Sequence, residues 1–231
     1  DITNDNTPTF TGDAEAGAMV LLFDGTIQVG SAVAASPYSV TASTLGNGVH
    51  SMTVKAQDAA GNTSGSSPAL SVTIDTVAPA TPAAPDLAVA SDSGASNIDN
   101  ITNDTTPTFQ GTCDSGSTVE LFDGVTQVGS GPCTAGSYTI TTSILPEGSH
   151  NIQARAKDPA GNTSALSVGL PMNIDTVAPP TPSMPDLLAG SDTGPSTTDN
   201  ITNDNTPDFS GSQGPDPTPG LHEKRRTGGT G

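Results

Sequence analysis

Tryptophan is absent from the 231 residues, and the other aromatics are only 2 Tyr and 5 Phe. Sugar sites ordinarily use aromatic rings as stacking platforms, so a carbohydrate grip lacks its usual furniture here. Basic residues are nearly as scarce. Six Lys and Arg stand against 24 Asp and Glu, a formal net charge of −18. A body of that sign repels phosphate backbones and anionic lipid, which excludes nucleic acid and membrane surfaces as partners and leaves cations as the natural ones. No apolar run approaches the roughly 18 to 20 residues of a membrane span, so no membrane insertion is expected. Two cysteines in the whole chain exclude a disulfide-dense scaffold, and without a Cys/His cluster they exclude a zinc site as well. There is no Gly-x-Ser-x-Gly elbow, no His-Glu-x-x-His helix motif and no phosphate-binding loop, so neither an enzyme nor a small-molecule substrate is expected.

What is present is a repeat. Asp1-Ile2-Thr3-Asn4-Asp5-Asn6-Thr7-Pro8-Thr9-Phe10 returns as Asn100-Ile101-Thr102-Asn103-Asp104-Thr105-Thr106-Pro107-Thr108-Phe109, and again from Asn200 to Phe209. Leu22-Phe23-Asp24-Gly25 matches Leu121-Phe122-Asp123-Gly124, Asp58 to Ser64 matches Asp158 to Ser164, and Ile74-Asp75-Thr76-Val77 matches Ile174-Asp175-Thr176-Val177. A fixed period of about 100 residues is the signature of a tandem array.

Inside one copy the signals are short runs rich in Thr, Ser and Val, separated by turns. In the second copy they predict strands over 86–90, 106–111, 118–122, 126–129, 137–142, 150–157 and 165–174. Over 150–157 the alternation puts Ile152, Ala154 and Ala156 inward and Asn151, Gln153, Arg155 and Lys157 outward. Asp123-Gly124 reads as a hairpin turn. No window reads as an amphipathic helix. The fold class is therefore all-β: tandem immunoglobulin-like β-sandwich domains of about seven antiparallel strands, arranged end to end.

Thr106-Pro107-Thr108-Phe109-Gln110-Gly111-Thr112, the Leu121-to-Gly124 hairpin, Glu147-Gly148-Ser149-His150, Ala156 to Asn162 and the closing Ile174 to Pro179 together resemble the bacterial Ig-like repeats of giant surface adhesins and biofilm-associated proteins. The resemblance covers residues 1 to about 211. It implies a secreted, extracellular or cell-surface rod segment, a structural extender supporting cell adhesion or biofilm formation, stiffened by calcium near domain junctions. Its partners would be neighbouring repeats of the same chain and calcium. A carbohydrate- or protein-binding Ig-like module, or an accessory domain of a secreted hydrolase, is the alternative.

Opening each repeat after its Pro-rich linker gives a first domain over 1–77 that lacks its first strand, a complete domain over 78–177, and the opening strands of a third over 178–211. An odd number of antiparallel strands sets the two termini of a domain at opposite poles. In the middle copy, strand direction then gathers Asp92, Asp99, Asp104, Asp123 and Asp175 at one pole. The 158–162 loop lies at the other, close to Asp75 of the preceding repeat. Carboxylates a few ångströms apart repel by on the order of 1 kcal/mol or more, and a cation relieves that. Calcium, with 6 to 8 oxygen ligands in flexible geometry, suits such loops better than magnesium does. The candidate metal ligands are Asp75, Asp92, Asp99, Asp104, Asp158 and Asp175. Asp158 has a second reading as a turn former with Gly161 and Asn162, and Asp123 reads better as the turn residue.

Cys113 and Cys133 follow the second and fourth strands at one pole, and replace Ala14 and Ala34 of the first copy. They are expected to form a disulfide closing a loop of about 20 residues, worth roughly 3 kcal/mol; two buried thiols are the alternative. His50 and His150 hold equivalent positions and read as structural. No Lys recurs at a core position, which argues against an isopeptide crosslink. The opening Asp1-Ile2-Thr3 is unlike a signal peptide, so the chain is expected to begin inside a longer protein. After Gly211 the repeat pattern stops, and 212–231 carries Lys224, Arg225 and Arg226, half of all the basic residues. That segment is expected to be a disordered or non-native tail, and without it the body has 22 acidic residues against 3 basic ones.

Overall fold

Alternating small apolar and polar residues can bury only one face of each strand, so the strands must pair off into two sheets facing one another. The computed structural model describes residues 1–35, 37–94 and 96–212, and every regular element in it is a strand. Among the described residues no helix is long and apolar enough to cross a membrane. The chain divides into two compact units, Asp1–Ile174 and Asp175–Gly231.

The first repeat contains β1 (Ile2–Thr3), β2 (Thr9–Gly12), β3 (Met19–Asp24), β4 (Ile27–Val33), β5 (Tyr38–Thr41), β6 (Gly48–Gln57) and β7 (Leu70–Ile74). The second contains β8 (Asp86–Leu87), β9 (Ile101–Thr102), β10 (Thr108–Thr112), β11 (Thr118–Asp123), β12 (Thr126–Pro132), β13 (Ser137–Thr141), β14 (Gly148–Lys157) and β15 (Leu170–Ile174). In the second unit β16 (Asp186–Leu187) pairs antiparallel with β17 (Phe209–Ser210).

The second repeat is a sandwich of two sheets, ordered β13-β10-β8 and β12-β11-β14-β15-β9. All pairings are antiparallel except β15 with β9, which is parallel. Phe109 on β10, Val119 and Leu121 on β11, Ile152 and Ala154 on β14 and Ile174 on β15 are fully buried between the sheets. Burying side chains of this size contributes roughly 1.5–3 kcal/mol each for the larger ones. Leu87 of β8 sits opposite Phe109 and closes the core on that side. Across the sheet, Tyr138 of β13 lies over Gly111 so closely that a Cβ there would stand 2.6 Å from its Oη. Gly12 and Tyr38 repeat the arrangement in the first copy.

The first repeat has the five-stranded sheet β1-β7-β6-β3-β4 but only β2-β5 opposite it. No counterpart of β8 is present among the described residues. Phe10, the equivalent of Phe109, is consequently only partly buried at the margin of its core, and a shallow cleft lined by Phe10, Leu22, Met52 and Leu70 opens beside it.

Several strand limits differ from the sequence reading. The strand expected over 86–90 stops at Leu87, because Ala88 O accepts from Ser91 N and Asp92 N and turns the chain. The strand expected over 165–174 begins only at Leu170. Before it, serine hydroxyls stand in for ladder carbonyls: Ala156 N donates to Ser164 Oγ at 3.0 Å and Ala154 N to Ser167 Oγ at 2.9 Å. In return Ser164 N and Ser167 N donate to the carbonyls of Ala156 and Ala154. The strand β9 was not expected, since two residues between turn formers carry no periodicity. The hairpin turn after β11 is as read, with Gly124 at φ 60°, a conformation that glycine adopts without steric cost. The expected tail lies outside the described residues from 213 onward.

Candidate functional site

The loop between β8 and β9 is built by short polar side chains that bond to their own backbone. Asp104 Oδ1 accepts from Thr106 N at 2.8 Å and from Thr106 Oγ1, while its Oδ2 accepts from Ser91 Oγ at 2.9 Å. Ser91 Oγ in turn accepts from Thr108 N at 3.0 Å, tying the loop to the start of β10. Asp104, expected as a metal ligand, accepts hydrogen bonds on both oxygens and so holds the loop to the start of β10. Its equivalents repeat the role: Asp5 accepts from Thr7 N at 2.9 Å, and Asp204 from Thr206 N at 2.9 Å and Ser191 Oγ at 3.2 Å. The hydrogen bond from the Thr206 amide, with those from the Ser191 and Thr206 hydroxyls, outweighs desolvation and holds the Asp204 carboxyl below the usual carboxylate range.

Asp92 behaves differently. It is 4% exposed, its Oδ2 lies 3.4 Å from Asn100 N, and its Oδ1 has no hydrogen-bond donor among the described residues. A buried acceptor left in that condition costs about 1–3 kcal/mol, and a charged one more. Asp192, its equivalent, is 2% exposed with the same orphaned Oδ1 and the same approach of Oδ2 to Asn200 N, at 3.3 Å. Asn100 and Asn200 both hold φ 59°, the left-handed region that Asn tolerates better than most side chains. Asp99 Oδ1 accepts from Ile101 N at 3.2 Å.

The other candidates lie at the ends of repeats. Asp75 Oδ1 accepts from Val77 N at 3.0 Å, and Asp175 Oδ1 accepts from Val177 N at 3.0 Å. Asp158 uses both oxygens in its own turn, accepting from Asn162 N and Asn162 Nδ2 at 2.8 Å each. Burial pushes its carboxyl up, but the hydrogen bonds from Asn162, Gly161 and Ala160 outweigh that and hold it below the ordinary range. Asp58 is held low in the same way, chiefly by the Asn62 side chain. The turn reading of 158–162 therefore describes its local geometry. The loop also reaches the preceding repeat: Asn162 Nδ2 donates to Asp75 O at 2.7 Å. Past this contact the linker seats on the second repeat, with Ala80 N donating to Asp114 Oδ2 at 2.8 Å and Ala83 N to Thr112 O at 3.3 Å.

Asn162 thus links the Asp158 turn to the main-chain carbonyl of Asp75, while Asp92 approaches the Asn100 amide and Asp99 bonds to the amide after it. Among the described residues no three Asp, Glu, His or Cys side chains gather where they could jointly hold a metal ion. The six candidate aspartates are therefore distributed, not pooled.

Two further arrangements carry charge. His50 Nδ1 donates to Asp24 Oδ2 at 2.7 Å and its Nε2 to Gly46 O at 2.8 Å. His150 does the same with Asp123 Oδ2 at 2.7 Å and Pro146 O at 2.9 Å. With both ring nitrogens facing oxygen acceptors, the doubly protonated ring is the form that makes both bonds. The pKa of His50 is raised above the ordinary 6.5, first by the Asp24 hydrogen bond. At His150 burial works downward, but the bonds to Asp123 and Pro146 outweigh it and the net shift is also upward. The equivalent positions of the two histidines were visible in the sequence; their aspartate partners, some 27 residues away, were not. Cys113 and Cys133 are joined, with an S–S distance of 2.01 Å and Cα atoms 6.0 Å apart.

Two facing sheets with a parallel β9–β15 edge, repeated along one chain, define immunoglobulin-like sandwich repeats. The chain belongs to the bacterial Ig-like domain family, whose sequence model matches residues 1–76, 78–176 and 178–225. No curated protein matches it. Among solved structures it is similar to fibronectin(III)-like modules of CbhA from Clostridium thermocellum, at 17% identity over 75% of this chain and 87% of that one, with a TM-score of 0.48. It is similar also to a Ca2+-stabilized adhesin with which an Antarctic bacterium binds ice, at 17% identity over 81% of this chain and 48% of that one, TM-score 0.39. The BSP domain of a biofilm-associated protein is 20% identical over 77% of this chain and 29% of that one, TM-score 0.30. The chain spans less than half of these last two proteins.

Proposed function

We propose that this chain is a structural extender segment of a bacterial cell-surface adhesin, exported from the cell and serving cell adhesion or biofilm formation without catalysis of its own. Its domains would run over 1–77, 78–177 and 178–211. The observation that carries the reading is the clasp from Asn162 Nδ2 to Asp75 O, 2.7 Å, between the turn of one repeat and the last strand's end of the one before. A single polar contact of this kind contributes only about 1 kcal/mol, too little to hold a hinge rigid. Calcium at the junction would supply the rest. The Asp158 carboxyl, held below the ordinary range by its turn, would offer its remaining lone pairs to a cation at this junction. Extracellular modules bind calcium at roughly 0.1–1 mM, so the segment would stiffen outside the cell.

The test is small-angle scattering of the intact chain with calcium and then with chelator. Extension in calcium and compaction without it are expected; an unchanged maximum dimension would remove calcium from the account.

A further inference from the structure

The disulfide between Cys113 and Cys133 stands where the linker from the first repeat comes to rest on the second. Cys113 lies between the two residues that receive that linker. On one side Thr112 O accepts from Ala83 N at 3.3 Å, and on the other Asp114 Oδ2 accepts from Ala80 N at 2.8 Å. Pro82 and Pro85 are buried along the same stretch; a proline has a fixed φ and little side-chain freedom to lose, so it fills a seat at small entropic cost. Thr112 and Asp114 are exposed, whereas Cys133 is 3% exposed and belongs to the core. The bridge therefore ties a surface loop to the packed interior.

The loop does not need the bridge for its shape. The first repeat carries Ala14 and Ala34 at these positions and makes the same turn. There Gly17 N donates to Ala34 O at 2.9 Å and Ala34 N to Ala18 O at 2.7 Å. In the second repeat Gly116 N donates to Cys133 O at 3.1 Å and Cys133 N to Ser117 O at 2.8 Å. We propose that the Cys113–Cys133 bridge is the anchor of the inter-repeat linker, immobilising Thr112 and Asp114 as a seat for residues 80–83. A loop closed only by main-chain bonds opens locally, at a free energy well below that of global unfolding. A covalent tie from Cys113 to the core suppresses those openings, and with them the occasions on which Ala80 and Ala83 lose their acceptors. The clasp from Asn162 Nδ2 to Asp75 O catches the linker where it leaves the first repeat; the bridge secures it where it enters the second. No cation takes part, and the anchoring is independent of whether calcium stiffens the junction or the chain serves as an extender.

Amide hydrogen exchange of the intact chain, read residue by residue by NMR, tests the anchor. Ala80 and Ala83 are exposed, and amides there exchange by local opening, so a change in global stability alone leaves their rates as they were. Replacing both cysteines with Ala should speed both amides roughly tenfold, the factor that matches one hydrogen bond of ordinary net strength. The Asn162 amide, held by Asp158 Oδ1 in its own turn, should keep its parental rate. Asp114→Ala with the bridge intact should speed Ala80 by a similar factor and leave Ala83 unchanged, which tests the seat even if the double cysteine variant does not fold. Linker amides that exchange equally fast in the parent and in the double cysteine variant overturn the proposal. So does an acceleration that Asn162 shares, which means a loosening of the whole repeat, or an Ala80 amide indifferent to Asp114→Ala.

Discussion

Phe10 and Phe109 occupy the same position in two copies of one fold, and differ in whether a strand covers them. Phe109 is fully buried, with Leu87 of β8 opposite it on one side and Ile140 of β13 on the other. Phe10 faces Val40 of β5, and among the described residues none stands in the place of Leu87. Truncating a fully buried Phe to Ala removes its transfer free energy and leaves a cavity, a cost of about 3–5 kcal/mol. Phe10 has less area to lose and an open cleft into which its surroundings already relax, so Phe10→Ala should cost roughly half as much. The assay follows from composition. The chain has no Trp and 2 Tyr, Tyr38 in the first repeat and Tyr138 in the second, so a Tyr38→Phe background makes tyrosine emission report the second repeat alone, and Tyr138→Phe the first. Guanidinium titrations of Phe109→Ala and Phe10→Ala in the matching backgrounds give the two costs. Equal losses at the two sites would refute the argument that β8 closes the core.

Two further outcomes are expected. Replacing Cys113 and Cys133 together with Ala, the residues of the first copy, should lower the second repeat's stability by roughly 3 kcal/mol, as expected for a closed loop of this length. The variant's denaturation midpoint should then ignore reductant, whereas the parent's falls; a parent indifferent to reductant would contradict the bridge. The His50–Asp24 and His150–Asp123 pairs make stability depend on pH. Because both folded pKa values are raised above 6.5, the contribution is fully present below about pH 6.5 and is lost as pH rises through the folded values. The expected loss is on the order of 1 kcal/mol per pair. Asp24→Asn with Asp123→Asn should flatten the profile, and a variant that keeps the parent's slope would show the pairs to be irrelevant to it.

Much of the fold was legible because it rests on local signals. The strand β14 was read nearly to its ends, since Ile152, Ala154 and Ala156 alternate with polar neighbours and all three are fully buried. The 165–169 segment was misread as strand because serines that bond through side chains leave the same compositional trace as serines in a ladder. The candidate site was legible as chemistry and not as geometry. Counting carboxylates pointed to the loop between β8 and β9, yet Asp104 and Asp92 look alike in sequence. One is consumed by Ser91 and Thr106 and the other is buried without a donor, a distinction made by the fold of the loop.

The central claim is that successive repeats form a spacer whose hinge calcium stiffens, and solution scattering of the intact chain tests it most directly. Profiles recorded in millimolar calcium, in chelator, and for Asn162→Ala in calcium should rank in that order of falling maximum dimension for the first two. The variant should be intermediate, because its clasp to Asp75 is gone while the carboxylates remain. Three superimposable profiles would contradict the account.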